Sequence, residues 1–361
     1  MGEYVLLKGN EAIAEAAIRC GCDGYFGYPI TPQSEILETL ALRKPWETTG
    51  MVVLQAESEV ASINMVYGGA GCGKKVMTSS SSPGVSLMQE GITYIAGAEL
   101  PCLLINVMRG GPGLGTIQPS QSDYFQTTKG GGHGDYRLIV LAPASVQEMH
   151  DFVPLAFELA FKYRNPAMIL SDGVIGQMME KVKLMDYTPR LTDQELEARY
   201  GDWITCGKTP NRQRHVITSL ELDSGRQEEF NKKLQAKYKA MTDNEVRCEE
   251  VQTDDADYIL VAYGSCSRIC QKTVELARQK GIKLGLLRPI TLFPYPTKNI
   301  QALLAHTKGF MAVEMSAGQM VEDVRLAVNG AVPVGFFGRM GGMIPSPDEV
   351  LDALEKFIAK I

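Results

Sequence analysis

The stretch from Gln55 to Gly84, QAESEVASINMVYGGAGCGKKVMTSSSSPG, limits what the chain can fold into. Glu57 and Glu59 open it, and Val60, Ile63 and Tyr67 follow at i, i+3 and i+7, the spacing of one apolar helical face. The cluster Gly68, Gly69, Gly71 and Gly73 is expected to end that helix, because residues without a Cβ adopt the conformation of a helix terminus at low cost. The strand-like KKVMT comes next, then Ser79-Ser80-Ser81-Ser82-Pro83-Gly84, then the helical pattern VSLMQEGITYIAG. A carboxylate at a helix start and, one crossover later, a serine-rich strand-to-helix loop indicate an α/β sheet. In such a sheet both lie at the carboxyl ends of strands, where ligands bind.

The same alternation runs through most of the chain. Gly9 or Asn10 opens the helical pattern EAIAEAAIRCG, and the strand-like GYFGY leads into Pro29-Ile30-Thr31-Pro32 and the helix QSEILETLAL. Thr31 and Pro32 read as the N-cap and first residue of that helix. The apolar run PCLLINVM is of buried parallel-strand type and ends in Arg109 and a glycine-rich turn. An arginine there can grip an anion with its planar fork, or else make a surface ion pair. The irregular segment that follows carries His133, a candidate base, although lone histidines are mostly structural; loops of this length inside compact domains are usually functional. RLIVLAP, SVQEMHDFVPLAFELAFKY and AMILS complete a first domain over residues 1–185.

From 186 to 252 the texture turns charged, with Asn211-Arg212-Gln213-Arg214 and one amphipathic helix near Gln227–Met241. This reads as a connecting arm that wraps a neighbouring domain or subunit. Residues 253–361 return to β/α order, with strands YILVAYG, KLGLLRP, GFMAVEM and VPVGFFG. The expected fold class is therefore α/β, two parallel-sheet domains joined by a charged arm.

Several function classes are disfavoured. A net charge of -6 argues against nucleic acid as a partner. Neither a secretion signal nor an apolar run of membrane-spanning length is visible, so the cytoplasm is the expected compartment. The eight cysteines show no ferredoxin or zinc spacing, so they read as reduced thiols, and any iron–sulfur cluster is expected on another chain. Gly68 to Lys74 imitates a phosphate-binding loop, but Lys75 stands where Ser or Thr would hold Mg²⁺. The GGPGLG run after Arg109 imitates a dinucleotide loop without the helix that should follow.

The central stretch, together with Y-P-I-T-P at 28–32, resembles the alpha subunit of 2-oxoacid:ferredoxin oxidoreductases. That resemblance implies a thiamine-diphosphate pyrimidine-binding domain followed by a transketolase C-terminal-like domain. It implies that Glu59 is catalytic, hydrogen-bonding the cofactor's aminopyrimidine so that its 4′-amino group can take the C2 proton. It also implies that Pro29, Ser80, Ser81, Ser82 and Gly84 line the cofactor, and that Thr31 and Arg109 bind the substrate's oxo and carboxylate groups. Ser82 stands where the family pattern T-S-G-P-G has glycine, and a positive φ there would strain a serine.

The G-D-G motif that holds Mg²⁺ and pyrophosphate in thiamine enzymes is missing; Ser171-Asp172-Gly173 comes nearest but lacks the leading glycine. The resemblance thus implies a beta subunit supplying the Mg²⁺–pyrophosphate half. It further implies gamma and ferredoxin-like delta subunits carrying [4Fe-4S] clusters, coenzyme A as co-substrate and ferredoxin as acceptor. The 124–134 loop and the 211–239 arm look most like the branched-chain members acting on 3-methyl-2-oxobutanoate, and less like the 2-oxoglutarate members. A pyruvate-type or 2-oxoglutarate-type subunit, a non-oxidative decarboxylase subunit and a non-catalytic docking subunit stand as alternatives.

Overall fold

A computed structural model describes residues 3–208, 212 and 214–361; Asn211 and Gln213 of the arm's basic run lie outside the described residues. The chain begins β1 (Tyr4–Lys8), α1 (Gly9–Arg19), β2 (Gly24–Gly27), α2 (Ser34–Arg43), α3 (Pro45–Thr48), β3 (Val52–Gln55), α4 (Glu59–Gly71), β4 (Val76–Ser80) and α5 (Ser82–Gly97). It continues β5 (Cys102–Met108), α6 (Tyr124–Thr128), β6 (Ile139–Leu141), α7 (Val146–Tyr163), β7 (Pro166–Asp172), α8 (Gly173–Gln177) and β8 (Met179–Lys183). Next come α9 (Asp193–Tyr200), α10 (Ser224–Asn244), β9 (Cys248–Val251), β10 (Tyr258–Val261), α11 (Gly264–Gln279), β11 (Leu284–Pro289) and β12 (Thr291–Phe293). The last elements are α12 (Thr297–Leu303), β13 (Gly309–Glu314), α13 (Met320–Val328), β14 (Val334–Gly338) and α14 (Pro347–Ile358). No described helix is long and apolar enough to cross a membrane.

The first large sheet runs β12-β6-β7-β5-β4-β2-β3, parallel except for β12. Strand β5 shows why it is buried on both sides. Leu104 and Met108 join the apolar cluster on one face, and Leu103, Ile105 and Val107 join the cluster on the other. Helices α1, α2 and α7 cover the second face through Ile13, Ile36, Leu40 and Val153, while α4 and α5 cover the first through Ile63, Val66, Val85 and Ile92. The chain steps from β2 outward to β3 and then returns to place β4 on the other side of β2. That reversal opens a crevice between the carboxyl ends of β2 and β4, the place where α/β sheets hold ligands.

The second sheet runs β14-β13-β10-β11-β9, with β9 antiparallel at its edge. Two short strands escaped the sequence reading, β9 and the edge strand β12. The latter leaves the C-terminal residues to join the first sheet, antiparallel to β6. So did the hairpin-like pair β1 and β8, which sits apart from both sheets. Residues of the charged stretch pack onto the first sheet. Leu234, Tyr238 and Met241 of α10 enter one cluster of the first sheet, and Leu196, Trp203 and Ile204 enter the other.

The glycine cluster after Tyr67 does end its helix, but only at its far end. Gly68, Gly69 and Gly71 are helical, and only Gly73, with φ 73°, lies beyond the cap residue Cys72. Close packing explains one of them, since a Cβ on Gly69 would stand 2.7 Å from Val76 Cγ1. The same holds where α4 meets α5: a Cβ on Gly91 would stand 2.5 Å from Ile63 Cγ2. Replacing Gly91 with Ala should therefore destabilise the fold by about 1–3 kcal/mol, the usual cost of overpacking. Urea unfolding should show a lower midpoint at unchanged slope. An unchanged midpoint would mean that the two helices do not approach this closely.

Candidate active site

The carboxyl ends of the first sheet gather the singled-out residues. Thr31 follows β2, Glu59 follows β3, Ser80 to Gly84 follow β4, and Arg109 follows β5. Ser58 caps α4, its hydroxyl accepting from the Ala61 N–H at 3.2 Å and donating to Glu57 at 2.8 Å. The two acids thereby part company. Glu57 is exposed, whereas Glu59 is only 6% exposed and turns inward over the sheet. A Cβ on Gly84 would come 2.5 Å from Glu59 Oε1, so only glycine lets the start of α5 lie against that carboxylate. The Ser80 hydroxyl borders the same spot.

The hydroxyls of Ser80 and Ser81 are buried and have no hydrogen-bond partner among the described residues. An unpaired buried hydroxyl costs about 1–3 kcal/mol, so the Ser80 hydroxyl, beside the buried Glu59 carboxylate, is well suited to a polar heterocycle. Ser82 differs. It is the first residue of α5, has no positive φ and is unstrained, so serine fits where the family pattern carries glycine. Its hydroxyl turns to the far side and donates to Asp123 Oδ2 at 2.6 Å, while accepting the Arg109 N–H at 3.0 Å.

Thr31 corrects an expectation. It does not cap α2; Gln33 occupies that position, and Ile30 C=O accepts the Gln33 N–H at 2.9 Å to close a turn around Thr31 and a cis Pro32. The helix starts only once this turn is complete. Buried hydrogen bonds hold the turn in place. Tyr25 donates to Ser79 at 2.7 Å, Ser79 to Gln33 Oε1 at 2.6 Å, and Gln33 Nε2 to Tyr28 C=O at 3.0 Å. Asn10 and Gln177 donate to Pro32 C=O at 2.7 and 3.1 Å and also to Glu35. Burial pushes the Glu35 carboxyl up, yet these donors and Lys8 outweigh it and hold it below its ordinary range. Thr31 itself is exposed at the mouth, and Pro29 is half-buried in the same turn.

Arg109 is buried and bridges the two walls of the mouth. Its Nη1 donates to Thr31 C=O and its Nη2 to Leu114 C=O, each at 3.0 Å, while its Nε–H has no partner among the described residues. A guanidinium has five N–H donors, so a carboxylate can still be gripped without breaking these two bonds. Two residues that the sequence reading passed over support this arginine. Asn106 Nδ2 donates to Asp123 Oδ2 at 2.9 Å, and its Oδ1 accepts the Ser82 N–H at 3.1 Å. Burial drives the Asp123 carboxyl above its ordinary range, against the hydrogen bonds from Ser82 and Asn106. An asparagine inside the apolar run PCLLINVM was a usable signal; Asp123 carried none, because only the folded loop brings it here.

Two other candidates lie elsewhere. His133 is exposed and lines a cavity of about 350 Å³ with Tyr94 and Gly97, at the opposite end of α5 from Gly84. Asp172 is saturated: its Oδ1 accepts from the Val174 and Ile175 N–H groups and its Oδ2 from the Ser265 hydroxyl at 2.7 Å. It latches the first sheet to α11, and burial pushes its carboxyl up.

Comparison with known proteins identifies the surroundings of this geometry. The family described as pyruvate flavodoxin/ferredoxin oxidoreductase, thiamine-diphosphate-binding, matches residues 15–241, and pyruvate:ferredoxin oxidoreductase core domain II matches residues 256–350. The chain is 51% identical to ketoisovalerate oxidoreductase subunit VorB of Methanothermobacter thermautotrophicus, over 97% of this chain and 96% of that one. It is 35% identical to 2-oxoglutarate synthase subunit KorA of Methanothermobacter marburgensis, over 98% and 99%. It also superposes on the 2-oxoglutarate:ferredoxin oxidoreductase of Magnetococcus marinus, solved with 2-oxoglutarate, coenzyme A and succinyl-CoA bound. That match has a TM-score of 0.84 at 26% identity and covers 99% of this chain and 66% of that one. With a buried carboxylate, a glycine cradle and an arginine fork collected at one switch point, and both family models matched in order, the chain belongs to the thiamine-diphosphate-binding 2-oxoacid:ferredoxin oxidoreductases.

Proposed function

We propose that this chain is the alpha-type subunit of an enzyme that converts a branched-chain 2-oxoacid such as 3-methyl-2-oxobutanoate to acyl-coenzyme A and CO₂, with electrons passed to ferredoxin. The observation that carries the reading is the contact of Glu59 Oε1 with the Gly84 position, beside the buried hydroxyl of Ser80. Thiamine diphosphate, when bound, supplies the electron sink that decarboxylation of a 2-oxoacid requires.

The chain's own residues would hold and prime it. The Glu59 carboxyl would share a proton with the ring nitrogen N1′ of the aminopyrimidine and so raise the basicity of its exocyclic nitrogen. Ser80 and Ser81 offer hydroxyls to the ring's polar edge, and Gly84 and Pro29 leave room for its face. Ser82 acts from behind, by fixing the strand ends. Arg109 holds the substrate carboxylate with its free N–H donors, and Thr31 at the mouth donates to the oxo group. With the Asp172 oxygens committed to protein donors, the reading assigns Mg²⁺ and the pyrophosphate to a beta-type partner. Iron–sulfur clusters belong to further gamma and ferredoxin-like delta partners.

Two observations favour a branched-chain substrate over a dicarboxylate. The 51% relative is a ketoisovalerate subunit, whereas 2-oxoglutarate subunits stand at 35%. Beside Arg109, the turn at Gly341 and Gly342 packs on Gly110 and Gln118, and Leu114, Ile117, Met340 and Met343 of these two segments are all exposed apolar residues.

Three substitutions test this in the complex assembled with its partners. Glu59→Gln should slow exchange of the cofactor's C2 proton, followed by NMR, by about 10²–10⁴-fold, the usual worth of general acid–base assistance. Glu57→Gln should leave that exchange alone, and the reverse pattern would move the role to Glu57. Gly84→Ala should weaken thiamine diphosphate binding in a cofactor titration, since the added Cβ would displace the Glu59 carboxylate and the Ser80 hydroxyl. Unaltered binding would remove the cradle from the site. Arg109→Lys should lower kcat/KM for branched-chain 2-oxoacids by about 1.5–3 kcal/mol in activation terms, because a point charge cannot reproduce the fork. An unchanged kcat/KM would exclude Arg109.

A further inference from the structure

The second sheet has its own switch point. From β10 the chain steps to β11 on one side and later to β13 on the other, which opens a crevice between the carboxyl ends of β10 and β13. In an α/β sheet that crevice is the ligand site. Here the chain fills it with its own Gln121, which is fully buried. Gln121 Nε2 donates to Tyr263 C=O at 2.9 Å, and its Oε1 accepts the Met315 N–H at 3.0 Å. Its backbone N–H donates to Met315 C=O at 2.9 Å, and its C=O accepts the Tyr263 hydroxyl at 3.2 Å. Every polar group of this residue is spent on the ends of β10 and β13.

The neighbours extend the grip in both directions. Gln319 Nε2 donates to Ser122 C=O at 2.7 Å, and its Oε1 accepts the Phe125 N–H at 2.8 Å. Two residues after Gln121, Asp123 reaches the first sheet and accepts from Ser82 and Asn106. Ser82 in turn accepts the N–H of Arg109, and Arg109 forms an isolated bridge with Pro119. A continuous run of short hydrogen bonds thus leads from the last domain, through Gln121 and Asp123, to the backbone of Arg109. A glycine at 82 would lack the hydroxyl that closes it.

We infer that Gln121 and Asp123 are positioning residues through which the C-terminal domain sets the placement of the Arg109 fork, and with it the affinity for the 2-oxoacid carboxylate. This rests on the function proposed above. The bridge acts on substrate binding and leaves the Glu59 chemistry on the other side of β4 untouched.

The test uses the complex assembled with its partner subunits and compares Gln121→Ala, Ser82→Gly and the double variant. Each single variant should raise KM for the 2-oxoacid about tenfold with kcat within about twofold, the signature of lost binding alone. The C2-proton exchange rate of the cofactor should match the wild type. The double variant should be no worse than the poorer single one, since both cut the same bridge. If Gln121→Ala does not assemble, Ser82→Gly, which removes one hydroxyl, carries the test. In an active complex, an unchanged KM in Ser82→Gly, or KM and C2 exchange impaired together, overturns the bridge alone. A wild-type complex inert toward every 2-oxoacid overturns the proposed function and the bridge with it.

Discussion

The close approach of the Glu59 carboxylate to Gly84 is the contact on which the rest of the site depends. It requires the start of α4 and the start of α5 to lie side by side over the end of β2, and that placement in turn requires Gly91 against Ile63 further down the same helices. A buried carboxylate is costly unless something donates hydrogen bonds to its lone pairs. Ser58, which caps the helix, is turned toward Glu57 and the Ala61 N–H, so the helix end spends its own donors elsewhere. The α4 N-terminus still favours negative charge at Glu59 through its dipole. The site therefore holds an ionisable acid ready for a ligand, at the point where the sheet reverses direction.

Around that contact the structure invests in polar groups that are almost fully paired. The turn bearing Thr31 is fixed by Tyr25, Ser79 and Gln33 from one side and by Asn10 and Gln177 from the other. Such buried networks specify a geometry when complete and are costly when broken. Unpaired buried atoms occur in several parts of the chain, Asn10 Oδ1 and Thr78 Oγ1 among them, but Ser80 Oγ lies against Glu59 and Gly84 and the Nε of Arg109 lies at the mouth, where a ligand would satisfy them.

Much of this was legible in the sequence, and the misses share a cause. Strand and helix order in the two sheets followed from apolar periodicity, because parallel strands buried on both faces read as continuous runs such as PCLLINVM. That Glu57 and Glu59 point to different sides follows from their spacing at a helix start, but which of them turns inward came from the family resemblance and is seen only in the fold. Thr31 was misread as a cap because Thr-Pro suits both a helix start and a turn, and only the Ile30 to Gln33 hydrogen bond decides between them. The glycine cluster does stop its helix, but only at Gly73; Gly68, Gly69 and Gly71 stay helical, with Gly69 packed against Val76. Strand β12 was invisible because its partner β6 lies 150 residues earlier in the chain, beyond any local pattern. Asp123 and Gln121 were invisible for the same reason, since their meaning depends on which crevice the loop enters.

The two switch points explain why one chain with two α/β sheets has one site. Both sheets reverse direction and both open a crevice, but their contents differ. At the first, Gly84 lets the start of α5 lie against Glu59 and Ser80, and the Ser80 hydroxyl is left unpaired. At the second, Gly264 takes φ 55° and brings the start of α11 so close that a Cβ there would stand 3.0 Å from Gln121 Nε2 and 3.3 Å from Asp172 Oδ2. Glycine admits the chain's own side chains in both places, and the difference is that Gln121 at the second is fully hydrogen-bonded. A fold that could have bound two ligands instead uses its second crevice as an anchor for the loop that completes the first. On the inference drawn above, the C-terminal sheet thereby gains a part in substrate binding without contributing a group that touches the substrate.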